Sequence, residues 1–165
     1  MSKSFYITTP IYYVNDIPHI GHAYTTILAD VLSRYQKQAG NEPFFLTGLD
    51  EHGQKVQNAA NSRGVETQDH CDEMSKRFIS LWERLHISND DFIRTTEIRH
   101  KKVVREILKT VFDVGDIYQD EYQGLYSVSE ERFITEKEAD TGQFRDIKTL
   151  KEKNYFFRMS KYQDR

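Results

Sequence analysis

His19 and His22 stand three residues apart, with Gly21 between them and Pro18 just ahead, and this group has the types and spacing best suited to chemistry in the 165-residue sequence. Residues three apart share one side of a helical turn, so both rings can face one ligand if the segment begins a helix. A helix N-terminus also presents unpaired N–H groups and a positive partial charge, which suit phosphate. Imidazoles titrate near neutrality and donate to phosphate oxygens, and Gly21 lets a planar or anionic group approach the backbone. In isolation the same pair is also open to surface or cap chemistry, or to half of a metal site, although the glutamate of a His-Glu-x-x-His zinc motif is missing. A second group, Asp50-Glu51-His52-Gly53, lies directly behind an apolar run. A carboxylate there could hold an ammonium group by a charge-assisted bond, or close an Asx turn or cap the next helix.

A βαβ unit is what must position these groups. Phe5-Tyr6-Ile7-Thr8 is a β-rich run stopped by Pro10, and a loop runs on to Pro18. Tyr24, Ile27, Leu28, Val31, Leu32 and Tyr35 recur at helical spacing and predict a helix over about His19 to Ala39, ended by Gly40. Pro43-Phe44-Phe45-Leu46-Thr47 is a second apolar run, closed by Gly48. Strand, helix, strand implies a parallel pair with a right-handed crossover, and ligands sit at the carboxyl ends of such strands.

Further on, Gln54 to Arg63 reads as a helix ended by Gly64. Thr67 N-caps another, whose stripe is Met74, Phe78, Leu81, Trp82 and Leu85. Phe92 to Thr96 predicts a third strand, and Val103, Val104, Ile107, Leu108, Val111 and Phe112 a further helical stripe ending at Gly115. Each stripe is expected to bury against the sheet. Past Gly115 the alternation stops: Ile117 to Val128 suggests two strands around Gly124, followed by a polar stretch to Asn154. The expected organisation is an α/β region over 1–115 and a mostly β module over 116–165.

Composition excludes several classes. With 38% hydrophobic and 30% charged residues the chain supports a packed core, and disorder is excluded. Lysines and arginines number 23 against 26 acidic residues, a net −3, so binding to nucleic acid needs a local patch rather than whole-chain charge. Arg99, Lys101, Lys102, Arg105 and Lys109 form one basic run, read as the solvated face opposite an apolar stripe. The single cysteine, Cys71, excludes an internal disulfide and a cysteine-based zinc site and fits a reducing, cytoplasmic setting. No signal peptide or membrane-spanning run is apparent.

The segment Thr9-Pro10-Ile11-Tyr12-Tyr13-Val14-Asn15-Asp16-Ile17-Pro18-His19-Ile20-Gly21-His22 closely resembles the start of the methionyl-tRNA synthetases, class I synthetases with a His-Ile-Gly-His box after the first strand. The likeness continues through Phe45 to Gly53, Arg94-Thr95-Thr96, Gly115 to Tyr118 and Tyr155 to Tyr162. It implies the first half of a Rossmann-like nucleotide-binding domain, followed by part of a mostly β connective-peptide insertion. His19 and His22 would contact ATP phosphates and stabilise the adenylation transition state, with Gly21 packed under the adenine. Asp50 would bind the methionine ammonium, Ile11 and Tyr13 would line the amino-acid pocket, and His52 would support that edge. As bare sequence, Ile11 and Tyr13 also fit an ordinary core. ATP with Mg2+, methionine and tRNA(Met) are the implied ligands.

Two departures qualify the likeness. Met74-Ser75-Lys76 and Met159-Ser160-Lys161 lack the flanking residues of the family's second ATP loop, Lys-Met-Ser-Lys-Ser, which would lie beyond Arg165 with the rest of the methionine pocket and the anticodon-binding domain. The chain is therefore expected to correspond to an N-terminal part, inactive without the missing C-terminal half. Where many relatives carry zinc-binding Cys-x-x-Cys, this chain has Tyr126-Ser127-Val128-Ser129-Glu130-Glu131, so no zinc is expected. The alternatives are a small ATP-dependent nucleotidyltransferase and a non-catalytic ATP-binding product.

Overall fold

The aromatic and β-branched run ahead of Pro10 forms β1 (Ser4–Thr8) in the computed structural model, which describes residues 2–130, 132–144 and 146–163. The segment behind it is not all loop, because Tyr12 and Tyr13 make a short strand, β2 (Tyr12–Tyr13). Then come α1 (Ile20–Gln38), β3 (Glu42–Asp50), α2 (Gln54–Arg63), α3 (Thr67–Arg84), β4 (Asp91–Arg94) and α4 (Ile98–Asp113). Both β1 and β2 pair with β3 in parallel, as does β4. Leu46 faces Thr8 and Asp91, and Leu49 faces Tyr12 and Arg94, so β1 and β2 run end to end along one edge of β3, with β4 along the other.

Several boundaries differ from expectation for local reasons. Gly48 does not close the second strand; it lies inside it, because a Cβ there would stand 2.1 Å from the Ile93 carbonyl oxygen, and only glycine lets β4 approach. The strand therefore carries on to Asp50. β4 stops at Arg94 because Thr95 and Thr96 turn their hydroxyls to Glu51. Glu66, not Thr67, is the N-cap of α3. Gly40 follows α1 with φ +81°, the left-handed conformation that ends a helix.

The core of this region is Tyr12, Val14, Leu49, Val56, Cys71, Met74, Phe78 and Trp82, with Leu81 partly buried against it, so the α3 stripe buries as expected except for Leu85, which is exposed. α1 behaves differently. It presents Ala23, Thr26, Ala29, Asp30 and Ser33 to the interior, while the expected stripe is outside, with Tyr24 70% and Tyr35 61% exposed. Polar ties explain the choice: Thr26 Oγ1 meets the Tyr12 hydroxyl at 2.9 Å, and Asp30 accepts from the Ser88 N–H at 2.7 Å and hydroxyl at 2.6 Å. α4 buries none of its residues either, and Ile98 is 86% exposed.

The chain divides into two compact units, Met1–Val104 and Arg105–Arg165, with the division inside α4 rather than at Gly115. The second unit is antiparallel: β5 (Ile117–Ser127) pairs along its whole length with β7 (Ile147–Phe157) and at its end with β6 (Arg132–Ile134). One long strand thus replaces the two expected around Gly124, where a Cβ would stand 2.9 Å from the Tyr122 ring and 3.3 Å from Phe133. The expected polar stretch holds β6, a short helix α5 (Glu136–Ala139) and most of β7. Met159-Ser160-Lys161 lies in a 3-10 turn, where Lys161 Nζ pairs with buried Asp116 at 2.5 Å. No described helix is long and apolar enough to cross a membrane.

Candidate active site

His19 is the N-cap of α1 rather than part of its first turn, and this changes how the histidine pair works. His19 Nδ1 accepts from the Gly21 N–H at 3.1 Å, and His22 Nδ1 accepts from the His19 N–H at 3.2 Å. The exchange is a capping box built from two imidazoles. With both Nδ1 atoms accepting, each neutral ring carries its proton on Nε2. Among the described residues neither Nε2 has a protein partner.

The rings stack at 3.8 Å between centroids, 24° from parallel. Two cations would repel at that separation. His22 also packs against Tyr12 at 4.8 Å and Phe78 at 5.2 Å. Burial, with His19 close by, lowers its pKa from the ordinary 6.5, so His22 stays neutral at neutral pH. What results is a pair of preset N–H donors, suited to negative charge that grows during a reaction. Gly21 has a structural reason of its own, since a Cβ would stand 3.0 Å from His19 Cε1 and 3.1 Å from Nδ1, in space the capping ring fills.

Ile11, Tyr13, Asn15, His19 and His22 line one cavity of about 440 Å³. Larger clefts of about 510 and 610 Å³ flank α3 and β7, but neither contains paired histidines. Four of the expected residues are therefore brought together. Asp50 does not line this cavity; it ends β3, half-buried, directly across from Tyr13 in the pairing. Its carboxylate makes no hydrogen bond among the described residues, and the N-cap of α2 is Gly53 without a side-chain cap, so neither the Asx-turn nor the cap role is in use. His52 is exposed and its Nε2 lies 3.3 Å from the Thr95 carbonyl, which places it against the β4 end rather than in the cavity.

Sequence reading missed the groups behind these. Glu51, 2% exposed, is held by Arg94 at 2.7 Å, by the Thr96 hydroxyl and by a bond from its own N–H to Thr95 Oγ1 at 2.9 Å. Arg94 also reaches Asp72 at 2.5 Å. A charged buried group needs such company, and the Arg94-Thr95-Thr96 run was the visible sign of it. Cys71, buried beside Glu51, has its thiol pushed up to about 11 by burial first, which disfavours the reactive thiolate.

In the second unit, Ser127 Oγ is buried, lies 3.1 Å from Ser129 Oγ and accepts the Glu130 N–H at 3.3 Å. A hydroxyl so engaged in a serine turn is a poor zinc ligand; Glu131 lies outside the described residues. Among the described residues no three His, Cys, Asp or Glu side chains form a metal-binding group.

Comparison with known proteins shows the family. The family described as "tRNA synthetases class I (M)" matches residues 5–142. The methionine–tRNA ligase of Fusobacterium nucleatum is 52% identical over 99% of this chain and 27% of its own, and that of Rickettsia bellii is 49% identical over 100% and 33%. The structure of Mycobacterium tuberculosis methionyl-tRNA synthetase in complex with methionyl-adenylate superposes with a TM-score of 0.90 at 41% identity, covering 98% of this chain and 33% of that one. The chain thus spans about a quarter to a third of the length of its relatives. Its α/β fold with a parallel sheet and these matches place the chain in the class I tRNA synthetases of the methionine type.

Proposed function

We propose that this chain supplies the ATP- and methionine-facing part of a methionine–tRNA ligase, which activates methionine to methionyl adenylate and passes it to tRNA(Met). The observation that carries the reading is the histidine pair, each Nδ1 spent on the cap and neither Nε2 partnered among the described residues, beside Ile11 and Tyr13. In adenylation the methionine carboxylate attacks the α-phosphorus of ATP and pyrophosphate leaves. His19 and His22 donate from Nε2 to phosphate oxygens as negative charge moves to the leaving group. Asp50 takes the methionine ammonium, and the absence of any hydrogen bond to its carboxylate among the described residues supports that role. Ile11 and Tyr13 receive the thioether side chain. Gly21 keeps the His19 ring in place and leaves the helix end open to the adenine. His52 acts at a distance, through Thr95.

Magnesium enters on ATP as the substrate complex, and zinc has no part in this reading. A cytoplasmic setting belongs to it too, supported by the single buried thiol. The remaining phosphate, methionine and tRNA contacts come from the C-terminal part of such a ligase, so residues 1–165 alone should not catalyse methionine-dependent ATP–pyrophosphate exchange.

The test uses a chimera in which this chain replaces the matching 27% of the F. nucleatum ligase. Changing His19→Ala and His22→Ala together should slow adenylate formation by on the order of 10²-fold or more, the scale of a lost transition-state donor, and change methionine affinity much less. An unchanged rate in the double variant would exclude the assigned role.

A further inference from the structure

Three consecutive residues of α3 reach both strand ends that carry the proposed ligand groups. His70, 1% exposed, donates from Nε2 to the Val14 carbonyl at 2.7 Å and accepts at Nδ1 from Arg63 at 2.8 Å. The Cys71 thiol lies 3.8 Å from the Glu51 carbonyl. Asp72 takes one branch of Arg94 at 2.5 Å, while the other holds the Glu51 carboxylate at 2.7 Å. Val14 follows Tyr13, and Glu51 follows Asp50. One stretch of helix is thus bonded to the residue behind each end of the amino-acid site.

From this juxtaposition we infer that His70 is a positioning residue for adenylation, holding the loop from Tyr13 to His19 at a fixed distance from Asp50. The inference rests on the site reading given above. β2 ends at Tyr13, so the sheet offers no partner to the carbonyl of Val14, a residue with no exposed surface. A buried carbonyl left unpaired is costly, and a loop deprived of its donor moves toward water. The ring's tautomer is not free to vary. Arg63, itself paired with Glu73, donates to Nδ1, which keeps the proton on Nε2 and aimed at Val14. The platform is firm, because α3 is seated in the core through Met74, Phe78 and Trp82.

Two variants separate positioning from bulk stability. His70→Leu fills the space without hydrogen bonds, while His70→Gln keeps an amide able to donate to Val14 and accept from Arg63. In the chimera, His70→Leu should lower kcat/KM for methionine per folded molecule by roughly 10- to 100-fold, the range for reacting groups displaced by about 1 Å, and His70→Gln should recover most of it. A rate within twofold of the parent for His70→Leu, or a His70→Gln as impaired as His70→Leu, would overturn the inference. Should His70→Leu fail to fold, His70→Asn, too short to reach both partners, takes its place.

In the chain itself, imidazole nitrogen NMR should show the Nε2-protonated tautomer. His70→Leu should there shift the backbone amides of residues 13–19 and spare those of β1. An Nδ1-protonated ring, or unshifted loop amides, would also overturn the inference. An inactive parent chimera would count against the ligase reading, and the NMR results would still decide the role of His70.

Discussion

Replacing Gly21 with alanine should separate the stability of α1 from the chemistry at its end. The new Cβ would stand 3.0 Å from His19 Cε1 and 3.1 Å from Nδ1, so the ring must retreat by a few tenths of an ångström or leave the cap. Losing the cap costs about 0.5–2 kcal/mol, while alanine in place of glycine in a helix returns up to about 1 kcal/mol. The net change is small, within about 1–2 kcal/mol, and a melt of the chain should move by no more than about 5–10 °C. The reaction is affected separately from stability, because the His19 Nε2–H is aimed by the bond that the methyl group disturbs. In the chimera, adenylate formation should fall roughly 10-fold or more on the scale of misplaced catalytic groups.

The same substitution in a His19→Ala background tells whether Gly21 acts through the ring or by leaving space for the adenine. A ring effect disappears there, whereas loss of adenine access persists. Full activity of Gly21→Ala with a normal melt would refute the view that the cap sets the donor's aim.

Other expectations follow from the same geometry. Asp50→Asn in the chimera should weaken methionine binding by about 10- to 100-fold, as for a charge-assisted bond, and leave ATP binding nearly intact; equal losses for both ligands would return Asp50 to a structural role. Burial alone would raise the Asp30 carboxyl, but bonds from Ser88 and Arg34 hold it below its ordinary 3.8. Its stabilising effect is therefore full above about pH 4 and is lost as pH falls through the lower folded-state value. Urea titrations of parent and Asp30→Asn should converge below that point, and a gap that persists in acid would contradict the tie to Ser88. The outward apolar faces of α1 and α4, with Tyr24, Tyr35 and Ile98 well exposed, should make the chain alone bind a hydrophobic dye or self-associate; a dye-silent monomer at high concentration would argue against this.

Punctuation and periodicity made the order of elements in the first unit legible, but not the faces they bury. Tyr24, Ile27, Leu28, Val31, Leu32 and Tyr35 form an apolar stripe at helical spacing, and it points outward. Thr26 and Asp30 point in, because each finds a partner distant in sequence, Tyr12 and Ser88. A pattern read along one helix contains no information about such partners. Gly48 misled for a related reason: glycine ends many strands, yet here it admits Ile93, a contact 45 residues away. In the second unit Gly124 was read as a turn, although its neighbours pair straight through with β7.

The candidate site divides along the same line. The proposed donors and the proposed carboxylate could be singled out because those roles depend on residue type and on adjacency in the chain: two imidazoles at a helix start, an acid at a strand end. What holds them was hidden. His70 and Arg94 are a histidine and an arginine without local pattern, and each gains its meaning from the carbonyl of Val14 or the carboxylate of Glu51. Arg94-Thr95-Thr96 belonged to the family likeness with no role attached, and buried Glu51 supplies one. Unpaired, that carboxylate would cost several kcal/mol, and the segment directly behind Asp50, at the end of β3, would lose its ties to Arg94 and Thr96. Residues that hold a site should therefore be sought wherever a buried charge sits beside an expected ligand group, since the charge requires partners that the ligand group does not.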